Sequence, residues 1–141
     1  MMEASKDSDY YIHTALLTSL LVVFFASMTD SIQDSQNDRP QPAATVEMTN
    51  TLEFTPDTVY IEQGQKVQWI NSSQLVHSVT ADPEKETIDG SVHLPDGAVP
   101  FGSGMMDPKE KFSHTFETTG SYTYFCIPHE AAGMKAVIIV R

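Results

Sequence analysis

The chain has 141 residues, a formal net charge of −11 and a single cysteine. That length allows one domain of ordinary size plus a tail. The acidic balance argues against a nucleic-acid partner and for a self-repelling surface open to steering toward a basic one, and a lone cysteine cannot close an internal disulfide.

Residues 14–28 read TALLTSLLVVFFASM, an uncharged and mostly apolar run of fifteen residues. It is shorter than a typical spanning helix and matches the apolar region of an export signal. The preceding MMEASKDSDYYIH holds three acids and only Lys6, and Ala26-Ser27-Met28 is not a small-x-small cleavage site. Residues 1–28 are therefore expected to be either a signal peptide or an N-terminal membrane anchor. Both readings place the remainder outside the cytoplasm, in the periplasm or at the cell surface. Residues 29–44, TDSIQDSQNDRPQPAA, are polar and aperiodic with two prolines, which predicts a flexible linker. If 14–28 is an anchor, that linker is a short membrane tether.

From Thr45 to Arg141 the texture is that of a folded domain of short strands. The runs are 45–54 (TVEMTNTLEF), 58–62 with Val59 and Ile61 inward, and 66–71 (KVQWIN) with Val67 and Trp69 inward. Further runs cover 77–80, 112–117 with Phe112, His114 and Phe116 on one side, 121–126, and a last apolar strand at 135–140. This period-2 alternation between turn signals predicts an all-β, Greek-key two-sheet sandwich. The stretch 82–104 has Pro and Gly clusters and little period, so it reads as a long connection with room for one short helix or strand. Trp69, Tyr122 and Tyr124 read as core. His93 reads as a loop histidine and His114 as a strand histidine, while Met105 and Met106 are expected to pack in a turn before Asp107-Pro108.

The chemistry concentrates in Cys126-Ile127-Pro128-His129-Glu130-Ala131-Ala132-Gly133-Met134. A thiolate, an imidazole and a thioether in nine residues form most of a blue-copper donor set, which needs a second imidazole from elsewhere. A structural zinc site wants four Cys or His ligands, and one cysteine falls short of that.

The segments FTPDTVYIEQGQKVQWINSSQLVHSVTAD and GSYTYFCIPHEAAGMKAVIIV closely resemble the plastocyanin and pseudoazurin branch of the cupredoxins, over roughly residues 45–141. The resemblance implies an antiparallel cupredoxin-like sandwich holding one type 1 copper ion. It implies His77, Cys126 and His129 as equatorial ligands and Met134 as the axial one. Ser78 stands where plant plastocyanins and azurins usually carry an Asn that braces the ligand loops. Phe125 stands where plastocyanin has a tyrosine used as a lateral electron exit. In the family the edge of the histidine matching His129 reaches the surface inside an apolar patch. The expected function is single-electron shuttling between redox protein partners outside the cytoplasm, by a monomer that is not an enzyme. The alternative is copper delivery or storage, which calls for methionine-rich or exposed, exchangeable ligands.

Overall fold

The computed structural model describes residues 41–141; the expected signal or anchor and all but the last few residues of the linker lie outside the described residues. Nine strands follow in order: β1 (Ala44–Met48), β2 (Phe54–Thr55), β3 (Thr58–Ile61), β4 (Lys66–Asn71), β5 (His77–Ala81), β6 (Phe101–Met106), β7 (Lys111–Thr115), β8 (Gly120–Phe125) and β9 (Lys135–Val140). They form a four-stranded sheet in the order β2-β1-β4-β7 and a five-stranded sheet in the order β3-β9-β8-β5-β6. The two-sheet, all-β sandwich is the fold that the alternation predicts. Most ladders are antiparallel. Two pairs are parallel, β1 with β4 (Val46 opposite Trp69) and β3 with β9 (Val59 opposite Ile138).

Burial follows the period. In β4, Val67, Trp69 and Asn71 are buried while Lys66, Gln68 and Ile70 are only half-covered, because successive side chains leave opposite faces of a strand. Trp69 is the hub of the interior, with ring centroids 5.7 Å from Phe112, 6.2 Å from Phe101, 6.4 Å from Phe116 and 5.4 Å from Tyr124, the last meeting edge to face. Val46, Val79 and Ile138 fill the space around these rings.

Two local features depart from the sequence expectation. The run 45–54 is not one strand: it reverses through Thr49–Leu52, where Leu52 takes φ 62° and its N–H donates to the Thr49 carbonyl at 3.2 Å. β2 then folds back on β1, with Phe54 opposite Met48. No Gly or Pro marks this turn, and Asn50 is its one typical turn residue. Likewise Met105 and Met106 lie in β6 rather than in a turn, Met106 in the core and Met105 58% exposed. Gly102 and Gly104 mask the strand signal there, since glycine weakens strand propensity. The 82–100 connection carries a short 3-10 turn at Pro83–Lys85.

Because Trp69 is fully buried and touches four rings, Trp69→Ala is expected to cost about 3–5 kcal/mol. The measurement is a fall in the urea midpoint with an unchanged slope. Val99→Ala, at a side chain 75% exposed, is expected to stay within about 0.5 kcal/mol of the parent.

Candidate metal centre

β8 and β9 are antiparallel neighbours, with Phe125 opposite Lys135, and the loop between them carries Cys126, His129 and Met134. Cys126 directly follows β8; its N–H donates to the Met134 carbonyl at 3.0 Å, and its own carbonyl accepts from the His129 N–H at 3.0 Å. A 3-10 segment spans Ile127–Ala132 with Pro128 in its first turn, where a missing N–H costs nothing. It closes at Gly133, whose φ of 79° is left-handed and whose N–H donates to the Glu130 carbonyl at 2.8 Å. A residue with a Cβ would be strained there.

His77 enters from the other side, as the first residue of β5. The turn before it is shaped by buried Asn71, whose amide donates to the carbonyls of Leu75 (2.8 Å) and Met106 (3.0 Å). The Asn71 side-chain oxygen accepts from the Ser73 N–H (3.0 Å) and the Ser73 hydroxyl (2.7 Å). Nothing in the alternation flags this network, although Asn-Ser-Ser is a turn-forming sequence whose side chains bond nearby backbone.

The fold brings three expected donors together. Cys126 Sγ lies 3.5 Å from His77 Nδ1 and 3.3 Å from His129 Nδ1, and one ligand atom from each of the three residues falls within 4.8 Å of the others. The two imidazole rings lie with centroids 4.7 Å apart, tilted at 57° to one another. Met134, also buried, is held in the same loop by main-chain bonds to Cys126 and His129. Among the described residues the other imidazoles, and Met106, do not join this group. Met106 packs in the core, His93 is exposed and exchanges backbone hydrogen bonds with Thr123, and His114 stacks on Phe101 at 4.0 Å.

Ser78 answers the question raised by the missing Asn. Its N–H donates to Cys126 Sγ at 3.3 Å, and its hydroxyl accepts from the Ile127 N–H at 2.8 Å. The serine therefore braces the loop by itself. Burial pushes the Cys126 thiol pKa up, partly offset by the Ser78 and His129 hydrogen bonds. Burial and the neighbouring His129 lower the His77 pKa, against the Thr49 backbone. A neutral imidazole is the form that binds a metal.

Sequence reasoning attached no role to Glu130, which is buried at 8% exposure. Burial opposes its ionisation, but hydrogen bonds from the Thr87 and Ser91 side chains and the Ile88 and Thr87 backbone bring its pKa down to about 2. An acid inside an otherwise apolar loop is the signal that marks it, since a buried charge needs partners.

A soft thiol beside two imidazoles, with Met134 buried in the same loop, suits copper better than zinc, whose closed sites take four Cys or His ligands. Comparison with known proteins agrees. The sequence profile of copper binding proteins of the plastocyanin/azurin family matches residues 41–141. The plastocyanin of Scenedesmus fuscus is 35% identical over 94 residues, covering 64% of this chain and 88% of that one. A solved pseudoazurin from Sinorhizobium meliltoi superposes with a TM-score of 0.55 at 24% identity, over 70% of this chain and 72% of that one. A copper-containing nitrite reductase from Thermus scotoductus gives 0.57 at 26% identity, but over 73% of this chain and only 23% of the enzyme. With a profile match along all the described residues and a matching sulfur-and-imidazole pocket, the chain belongs to the plastocyanin/azurin family of copper-binding proteins.

Proposed function

We propose that this protein is a one-electron carrier outside the cytoplasm, in which His77, Cys126, His129 and Met134 would hold one copper ion. The observation that carries the reading is Cys126 Sγ set between the Nδ1 atoms of His77 and His129 in a buried pocket. Copper supplies the one-electron Cu(II)/Cu(I) couple. The chain holds the donors at fixed spacing so that little rearranges between the two states, which favour different geometries. Ser78 contributes by directing an N–H at the sulfur and anchoring Ile127, as hydrogen bonds to a ligating thiolate tune a metal site.

Electron shuttling fits better than copper delivery because the donors are enclosed. Cys126, His77 and Met134 are all buried and His129 is partly covered, whereas delivery calls for exchangeable ligands. Electron transfer rather than turnover also fits the plastocyanin relatives, since the nitrite reductase shares this fold over less than a quarter of its chain. The partners on this reading are redox proteins, and the carrier works as a monomer. Its position outside the cytoplasm rests on the apolar run 14–28, as signal or tether. Among the described residues no helix is long and apolar enough to cross a membrane.

The exit we assign is the His129 edge. Around it Pro128, Ala131, Ala132 and Gly133 are exposed, and Leu75 and Val76, 40% and 42% exposed, precede His77. An apolar rim lets a partner approach closely and exclude water, while the acidic remainder governs encounter and orientation.

Three outcomes are expected. The copper-loaded protein absorbs intensely in the visible, and Cys126→Ser abolishes that band; a variant that kept its colour would remove the thiolate from the site. Met134→Leu retains copper and raises the reduction potential by voltammetry, because losing a sulfur donor disfavours Cu(II), while Met105→Leu and Met106→Leu leave it in place. Ala132→Glu slows electron self-exchange between the Cu(I) and Cu(II) forms on the order of tenfold, equivalent to about 1.4 kcal/mol, with an unchanged visible spectrum. This is read from NMR line widths at high salt, where repulsion between the added charges is screened.

A further inference from the structure

On β8 the side chains of Tyr122 and Tyr124, with Cys126 beyond, belong to the core, so by alternation Thr123 and Phe125 face the outer side of the five-stranded sheet. An outer position is expected to be wet, and Lys135, opposite Phe125 on β9, is exposed. Phe125 nevertheless has 0% exposure. A layer outside the sheet must cover it.

The course of the 82–100 connection identifies that layer. The chain leaves β5 at Ala81, one residue beyond Thr80, which pairs with Phe125. It next meets the ligand loop, where the Glu130 carboxylate accepts from the Thr87 N–H (3.0 and 3.1 Å), the Thr87 hydroxyl (2.5 Å) and the Ile88 N–H (3.0 Å). It then returns to β8, where His93 and Thr123 exchange backbone hydrogen bonds at 3.2 and 2.9 Å. Within the arch Glu86 accepts from the Val92 N–H at 3.0 Å. The fixed points, Ala81, Glu130 and Thr123, bracket the part of β8 and the ligand loop in which Phe125 lies.

We infer that residues 82–92 form a lid over Phe125, that Glu130 is its latch, and that the latched lid closes the lateral route so that electrons leave by the His129 edge alone. The inference rests on the copper-carrier reading for its electron-transfer part only; the lid itself is a property of the chain. Glu130 is a positioning residue here. Its carboxylate accepts from the Thr87 N–H and hydroxyl, the Ile88 N–H and the Ser91 side chain, all in the arch, and a neutral amide would offer one oxygen and an opposing N–H.

The test uses the full chain with two latch variants, Glu130→Gln and Thr87→Val, the second leaving the ligand loop untouched. In a Phe125→Tyr background the phenol reports access to tetranitromethane, and peptide mapping separates it from exposed Tyr60. The latched protein is expected to resist nitration at position 125, and each latch variant to raise its rate about tenfold or more as the arch opens. In copper-loaded protein, oxidation of the Cu(I) form by a cationic cobalt(III) complex is expected to rise about threefold with Glu130→Gln, and Phe125→Leu is expected to cancel that rise in the double mutant while doing little alone. Removing a negative charge would by itself slow a cationic oxidant, so the gain reports the route. Equal nitration with and without the latch would overturn the lid. No rate gain, or a gain that survives Phe125→Leu, would overturn the closed lateral route. A parent protein that bound no copper would defeat the carrier reading alone, because the nitration comparison needs no metal.

Discussion

The pocket depends on Ser78, which ties β5 to the end of β8. The β5–β6 ladder shifts register between Ser78 and Thr80, and β5 pairs with β8 at Thr80 and Phe125. Such an irregularity leaves a backbone group unpaired and re-aims the strand. The N–H that the shift leaves without a ladder partner is that of Val79, which donates to the Ser103 hydroxyl at 2.9 Å; the Ser78 N–H, on the β8 side of the strand, points at the Cys126 sulfur, and the Ser78 hydroxyl takes up the Ile127 N–H. One residue thus satisfies a donor that would be costly to bury alone and sets the spacing between the histidine beside it and the thiol.

Contiguity decided what could be read from the sequence. Cys126, His129 and Met134 stand in nine residues, so their chemistry is visible in the spacing, and the alternation of β4, β8 and β9 gave the sandwich in outline. His77 is different. Locally it looks like His93 or His114, and only its resemblance to a family pattern separated it from them; the fold supplies the reason, since His77 opens a strand beside β8 whereas His114 stacks on Phe101. The parallel pairing of β1 with β4 was equally hidden, because side-chain period does not encode a partner's direction. The roles of Ser78, Asn71 and Glu130 depend on groups as much as 35 to 49 residues away, and such partners leave no trace in a short window.

Charge is handled differently inside and outside the domain. At the surface Lys85 and Asp82 sit 3.8 Å apart, the lysine exposed and the aspartate partly covered, an arrangement that contributes little. The interior acid, Glu130, has no cation within its cluster of bonds. It is balanced by N–H and O–H dipoles from a single arch, which stabilise a carboxylate without a countercharge. The uncompensated excess of acids therefore stays outside, where it keeps the molecule soluble and sets long-range attraction to basic surfaces.

On the proposed copper ligation, the nine-residue spacing of three donors also bears on the thermodynamics of loading. A ligand stabilises a fold only to the extent that it prefers the native over the unfolded chain. An unfolded chain keeps Cys126, His129 and Met134 near one another in sequence, so it retains appreciable affinity for a soft ion; His77, separated from Cys126 by 49 positions, is the donor that only folding delivers. The gain in unfolding free energy on metal binding is accordingly smaller than the affinity of the native pocket implies, and its native-specific share is written largely into His77 and the strand that carries it.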